Sequence, residues 1–304
     1  MDQREFDRIL KEKTKAVETV LSGYLPEETG LQKTVIEAMN YSLTAGGKRL
    51  RPMLMWETFL MCGGQGRLIE PFLAAIEMIH TYSLVHDDLP AMDNDEYRRG
   101  RRTTWYVYGD AMGILAGDGL LNYAYETALR AFAFCGDDAE AMSRTASALR
   151  TLAEKAGIYG MVGGQTADIE AEGRGEAVTR ESLLFIHEHK TAALIQAAMM
   201  TGAILAGAPA EQVKRLERCA RNIGVAFQIQ DDILDVTGDS RELGKPVGSD
   251  EQNHKQTYVT LKGLEESKRE VEALSEEAVE ILSGFGAEHE FLTKLILALI
   301  HRRK

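Results

Sequence analysis

Hydrophobic side chains recur along this chain at helical spacing, and short runs of glycine and proline break the pattern. The periodicity predicts helices over roughly 3–22, 28–45, 51–62, 68–88, 109–134, 137–160, 179–206 and 210–236, with further helices after about 254. Strand-like alternation never persists beyond a few residues. Segments 68–88 and 210–235 are apolar on more than one face, which places them at the centre of a fold rather than on its surface. Glycine and proline gather at 46–47, 63–66, 171–175 and 238–248, where loops are expected. None of these breaks is a low-complexity linker, so the expectation is one all-α domain over 1–304.

Composition agrees with that reading. Only six prolines occur in 304 residues, and the apolar fraction of 44% with 27% charged is that of a soluble globular chain. No run of about 18 apolar residues is present, and the amino-terminal "MDQREFDRILKEK" has no signal-peptide core, so no membrane span and a cytoplasmic location are expected. Cys62, Cys135 and Cys219 are far apart and form no CxxC, which suits free thiols in a reducing compartment. A formal charge of −12, from 35 basic and 47 acidic residues, argues against a nucleic-acid surface. An anionic substrate would need local basic clusters or bound cations.

The acids are not spread evenly. "DDLPAMD" supplies Asp87, Asp88 and Asp93 where one apolar helix runs out, and "DDILD" supplies Asp231, Asp232 and Asp235 where another does. Asp231 and Asp235 are one helical turn apart, with Cβ atoms about 6 Å apart. Pro90 ends or kinks the first helix, which lets Asp93 fold back toward Asp87. One such cluster is most often a set of solvated acids. Two of them, both at helix carboxyl ends where the dipole disfavours anions, are harder to explain that way. Like charges at that spacing repel by roughly 2–3 kcal/mol at an effective dielectric near 20, so offsetting cations are implied. Carboxylates select hard cations, and Mg²⁺ takes one or two of them while bridging to substrate phosphates. The sixth position counted from Asp93 is Arg98 rather than glycine, so the first cluster is not an EF-hand.

Three basic features could answer such a site: Lys48, Arg49 and Arg51 in "GGKRLRP", Arg98, Arg99, Arg101 and Arg102 in "RRGRR", and His189-Lys190-Thr191. Each alone is usually a solvated charge or a salt-bridge partner; beside two acid clusters they suit a metal–diphosphate site. "GGKRLRP" lacks the spacing of a nucleotide phosphate loop, and neither GxSxG nor a Cys/His nucleophile pair occurs. His86-Asp87 alone gives an HD-type phosphohydrolase little support.

Taken in order, GGKRLRP (46–52), DDLPAMD (87–93), RRG (98–100), GGQTAD (163–168), KT (190–191) and FQIQDDILD (227–235) resemble the trans-isoprenyl diphosphate synthases over nearly the whole chain. The resemblance implies an all-α barrel of helices around a deep apolar cavity, usually a homodimer. It implies that Asp87, Asp93 and Asp231 ligate Mg²⁺ (or Mn²⁺), with Asp88, Asp232 and Asp235 in the same catalytic motifs. It gives Gly47, Lys48, Arg51, His80 and Arg99 to isopentenyl diphosphate, and Arg98, Lys190, Gln228 and Lys245 to the allylic diphosphate. Thr191 and Gln228 would lie near the developing carbocation, Gln165 and Asp168 would line the site, and the tail "HRRK" (301–304) resembles basic tails that close over it. The implied reaction is Mg²⁺-dependent condensation of isopentenyl diphosphate with dimethylallyl and geranyl diphosphate.

Ala91-Met92 inside the first motif marks the short-chain bacterial and plant group, in which the residues four and five before the motif help set the cavity floor. Here these are Ser83 and Tyr82, with Tyr82 about 7–8 Å back from Asp87 at roughly 1.5 Å per residue. A ring there should stop the chain at fifteen carbons, giving farnesyl diphosphate. The alternatives are a twenty-carbon product and a non-catalytic partner subunit. The second would be expected to have lost aspartates. A class I terpene cyclase fits less well, because "GGKRLRP" implies a second, isopentenyl substrate.

Overall fold

The computed structural model describes residues 1–173, 179–238, 256–286 and 289–301. The fold is all-α, and the described residues are 77% helical. In chain order the helices are α1 (Gln3–Ser22), α2 (Lys33–Leu43), α3 (Leu50–Met61), α4 (Glu70–Asp87), α5 (Thr104–Tyr108), α6 (Asp110–Leu129), α7 (Ala139–Ala156), α8 (Met161–Gly173), α9 (Arg180–Ile186), α10 (Ala193–Ala206) and α11 (Ala210–Thr237). Beyond them come α12 (Tyr258–Lys262), α13 (Leu264–Ser283) and α14 (Glu290–Ile300). A 3₁₀ turn, Arg130–Phe134, follows α6, and a π turn, His187–Ala192, joins α9 to α10.

The helix starts follow capping chemistry. Asp2 accepts from the Glu5 amide at the head of α1, and Asp138 accepts from the Glu140 and Ala141 amides at the head of α7. Thr179 and Ser182 form a reciprocal capping box ahead of α9. α1 is one-sided and buries Phe6, Val17 and Leu21, whereas α4 buries most of its residues from Pro71 to Val85. α4 packs chiefly on α6, and α10 lies among α3, α7 and α11. One apolar core runs through all of them, from Phe6 to Ile300.

Several elements differ from the sequence expectation. The second helix starts at Lys33, because Gly30 at φ +77° breaks the run. The helix expected to reach 160 stops at Ala156, and α8, not expected at all, follows it. Residues 97–102 form a two-stranded hairpin, Tyr97–Arg98 paired with Arg101–Arg102. Its turn residues Arg99 and Gly100 have φ of +53° and +75°, as a tight two-residue hairpin turn requires. The long helix expected over 179–206 is interrupted by the π turn. Among the described residues, no helix is long and apolar enough to cross a membrane.

Candidate active site

Asp87 is the last residue of α4. Beyond Pro90 the chain turns back, so that the Asp93 amide donates to the Asp87 carbonyl at 2.8 Å and the Asn94 amide to that of Leu89 at 3.1 Å. The fold-back that Pro90 suggested is therefore present, and it also satisfies carbonyls at the end of α4. Gln165 Nε2 donates to Asp87 Oδ1 at 2.8 Å, tying α8 to this end of α4. Burial pushes the Asp87 carboxyl up to about 6; Lys190 and Arg98 pull it down, while Asp93 and Asp168 add to the rise. Asp88 is buried and holds Arg98, whose Nε and Nη2 both lie 2.6 Å from its Oδ1. Arg98, expected on a diphosphate, is here the partner of Asp88.

The second cluster closes α11. Asp231 is half-buried, while Asp232 and Asp235 are buried. Asp232 accepts from the Tyr258 amide at 2.7 Å, so this carboxylate anchors the start of α12. Among the described residues, no three acid, thiol or imidazole groups are close enough to hold a metal ion by themselves. Asp87 and Asp93 close the carboxyl end of α4 and Asp231 that of α11. That arrangement suits Mg²⁺, which takes one or two carboxylates and completes its shell with phosphate and water. Lys245 and residues 302–304 lie outside the described residues.

Between the clusters, Lys190 Nζ pairs with Asp168 Oδ2 at 2.5 Å, and Thr191 Oγ1 donates to Gln228 Oε1 at 2.9 Å. A cavity of about 540 Å³ runs past them, lined by Tyr82, Ser83, Asp87, Met161, Gln165 and Thr191 among others, with Ile114 and Ile169 extending its apolar wall. A second cavity of similar size, about 540 Å³, is lined by Lys48, Arg49, Arg51, Glu77, His80 and Arg99, with Phe227 of α11 and Leu299 of α14 on its apolar side. Arg51 and His80 line both cavities, so the two adjoin there.

The basic cavity is rigidly built. Arg49 is buried in a left-handed conformation (φ +50°), 2.8 Å from Glu77 Oε1 and 2.8 Å from the Leu43 carbonyl, so it braces the loop rather than facing solvent. The Arg99 guanidinium donates to the Gly46 carbonyl. Gly47, at φ +133°, adopts a backbone that favours glycine, and the Arg99 guanidinium crosses over it. Lys48 is exposed at the rim. Burial, reinforced by Arg51 and Arg99, drives the His80 imidazole well below its ordinary value, leaving it neutral at pH 7. Burial also lowers Arg51 to about 10, still protonated at pH 7.

An apolar-walled chamber with Asp87 and Lys190 in its lining, beside a basic one, suits two diphosphate substrates, one of them carrying a hydrocarbon chain. Residues 32–290 match the polyprenyl synthetase family. The chain belongs to that family. The activity that goes with it is prenyl chain elongation. A farnesyl diphosphate synthase of Geobacillus stearothermophilus is 43% identical over 304 residues, covering 99% of this chain and 100% of the relative. A geranylgeranyl diphosphate synthase of Cyanophora paradoxa is also 43% identical, over 91% of this chain and 89% of the relative. Among solved structures, a geranyltransferase from Helicobacter pylori in complex with magnesium and isoprenyl diphosphate superposes with a TM-score of 0.79 at 30% identity, covering 96% of this chain and 95% of that one.

In this polyprenyl synthetase, Tyr82 is only 6% exposed and meets His86 edge-on, with ring centroids 5.8 Å apart. Burial pushes its hydroxyl up to about 12. The neighbouring Tyr125 of α6 adds to that shift, so two tyrosines from α4 and α6 stand close together. Sequence reasoning did not single out Gln165 as a partner of Asp87, nor Phe227 and Leu299 as walls of the basic cavity. Leu299 carries no local signal, because it reaches the site only through the docking of α14.

Proposed function

We propose that this prenyltransferase condenses isopentenyl diphosphate with dimethylallyl and then geranyl diphosphate, head to tail, to give farnesyl diphosphate. The observation that carries the reading is the meeting, at Arg51 and His80, of the basic chamber and the apolar chamber that Asp87 and Lys190 line. In this reading Lys48, Arg51, neutral His80 and Arg99, received by Gly47, hold isopentenyl diphosphate. Lys190 and Gln228 hold the allylic diphosphate together with Lys245, and Arg98 orders Asp88 beside them. Mg²⁺, for which Mn²⁺ can substitute at oxygen donors, would be held by Asp87, Asp93 and Asp231 and would neutralise charge on the departing diphosphate.

The residues of the chain divide the remaining work. Basic side chains stabilise the leaving diphosphate as the allylic C–O bond breaks. The hydroxyl of Thr191 and the amide oxygen of Gln228 lie beside the carbon left positive. The apolar wall excludes water, which would otherwise capture the cation. The double bond of isopentenyl diphosphate then forms the new C–C bond, and a proton leaves the adjacent carbon for the released diphosphate. No side-chain nucleophile is needed.

A geranylgeranyl diphosphate synthase is the second reading, because the Cyanophora relative has the same 43% identity, over a shorter span, as the Geobacillus one. The buried ring of Tyr82 in the chamber favours the shorter product. A homodimer is supported by the exposed apolar side chains Leu115, Ile158 and Tyr159, and light scattering would report its mass. Labelled isopentenyl diphosphate should be consumed with dimethylallyl and geranyl primers only when Mg²⁺ is present. A chain that consumes none with any primer is not this enzyme.

A further inference from the structure

Lys190 and Thr191 sit inside the one stretch of 179–206 that leaves α geometry. His187–Ala192 is a π turn, bonded i to i+5, which accommodates one residue more than an α-helix would over the same rise. One extra residue rotates side chains within the turn by up to about 100° relative to an uninterrupted α-helix. The turn is packed between α8 and α11.

On both sides the flanking helix has glycine at the point of contact. A Cβ on Gly164 would overlap the Lys190 amide nitrogen and lie 2.5 Å from the His189 carbonyl carbon. A Cβ on Gly224 would overlap the Ala192 Cβ and lie 2.5 Å from its Cα. Both are inside the 3.0 Å that real Cβ contacts respect, and on both sides backbone is in the way. Four residues after Gly164, on the same face of α8, Asp168 takes Lys190 Nζ at 2.5 Å. Four residues after Gly224, on the same face of α11, Gln228 takes the Thr191 hydroxyl at 2.9 Å. Each helix therefore repeats one device: a glycine admits the backbone of the turn, and a polar side chain one turn later receives its functional side chain.

We propose that Gly164 and Gly224 are positioning residues that clamp the 187–192 segment in π geometry, and that this geometry aims Lys190 and Thr191 at the allylic substrate. The inference rests on the reading of Lys190 and Thr191 as allylic-side groups. It extends that reading to two residues that touch no substrate.

The test compares Gly164→Ala, Gly224→Ala and a deletion of His189 with wild type, by KM for each substrate, kcat and melting temperature. Removing His189 takes out the residue that the π turn accommodates, and lets α9 run into α10 as plain α-helix. Expected for all three is a KM for geranyl diphosphate raised at least fivefold and a kcat lowered at least tenfold, with KM for isopentenyl diphosphate within twofold. The deletion variant should melt at or above wild type. Wild-type kinetics in a folded deletion variant overturn the proposal, as does an equal loss for both substrates. A deletion variant that does not fold also overturns it, since the π turn would then serve the fold. Lys190→Ala separates the two levels. If it leaves the geranyl diphosphate KM unchanged, the assignment of Lys190 fails and takes the clamp with it. If it raises that KM while the glycine and deletion variants do not, only the clamp fails.

Discussion

Replacing Tyr82 by alanine should lengthen the product. The ring is 6% exposed and lines a chamber of about 540 Å³, roughly 7–8 Å along α4 from Asp87 at about 1.5 Å per residue. A further isoprene unit brings five carbons, and burying them is worth about 4 kcal/mol at about 0.8 kcal/mol per methylene-sized group. Swinging a product ratio from about nine-to-one for fifteen carbons to about one-to-nine needs only about 2.6 kcal/mol. Opening the floor therefore supplies enough burial to shift the main product to twenty carbons. The stability loss should stay below the about 3–5 kcal/mol of a fully packed aromatic-to-alanine change, because part of the ring faces the chamber. Tyr82→Phe keeps the ring and should keep the fifteen-carbon product. The assay is chromatography of dephosphorylated products from labelled isopentenyl diphosphate. A folded, active Tyr82→Ala protein that still stops at fifteen carbons refutes the reasoning and moves the floor to another residue.

Other consequences can be checked separately. Arg49→Met takes from buried Glu77 its hydrogen-bonded partner and leaves only the nearby charges of Arg51 and Arg99, and should cost about 1.5–3 kcal/mol in urea unfolding. Arg98→Leu removes the hydrogen bonds to buried Asp88, and should cost about 1.5–3 kcal/mol on the same measure. His80 has a folded-state pKa below its unfolded value, so below about pH 6.5 the unfolded chain takes up the proton first and stability is lost. The urea midpoint of wild type should therefore fall relative to His80→Gln between pH 7 and pH 5, and parallel curves would contradict a neutral, buried His80.

Much of this was legible in the chain because the local signals agreed with the global fold. α4 and α11 could be read as central since no face of either is polar over its length, and α4 is indeed buried almost throughout. Pro90 announced the end of α4, and with it the return of Asp93 to Asp87. Gly46 and Gly47 announced a turn and adopt positive φ. α8 was missed because Gly163 and Gly164 depress intrinsic helicity, and the segment is helical where it packs on the π turn, α9 and α7. The π turn has no sequence signature of its own, because its geometry comes from helices met long before and after it. The pairing of Arg98 with Asp88 follows the ordinary expectation that an arginine beside an acid cluster is its salt-bridge partner, and the hairpin brings the guanidinium onto that buried carboxylate.

The central claim is that the two adjoining chambers carry out one Mg²⁺-dependent carbon–carbon bond formation. Incubation with geranyl diphosphate and ¹³C-labelled isopentenyl diphosphate, with and without EDTA, tests it by mass spectrometry of the diphosphate product. The account predicts a fifteen-carbon diphosphate carrying one labelled unit, formed only while divalent metal is present and restored when Mg²⁺ is returned in excess. Geraniol with no labelled product, or a labelled product that survives chelation, would contradict it.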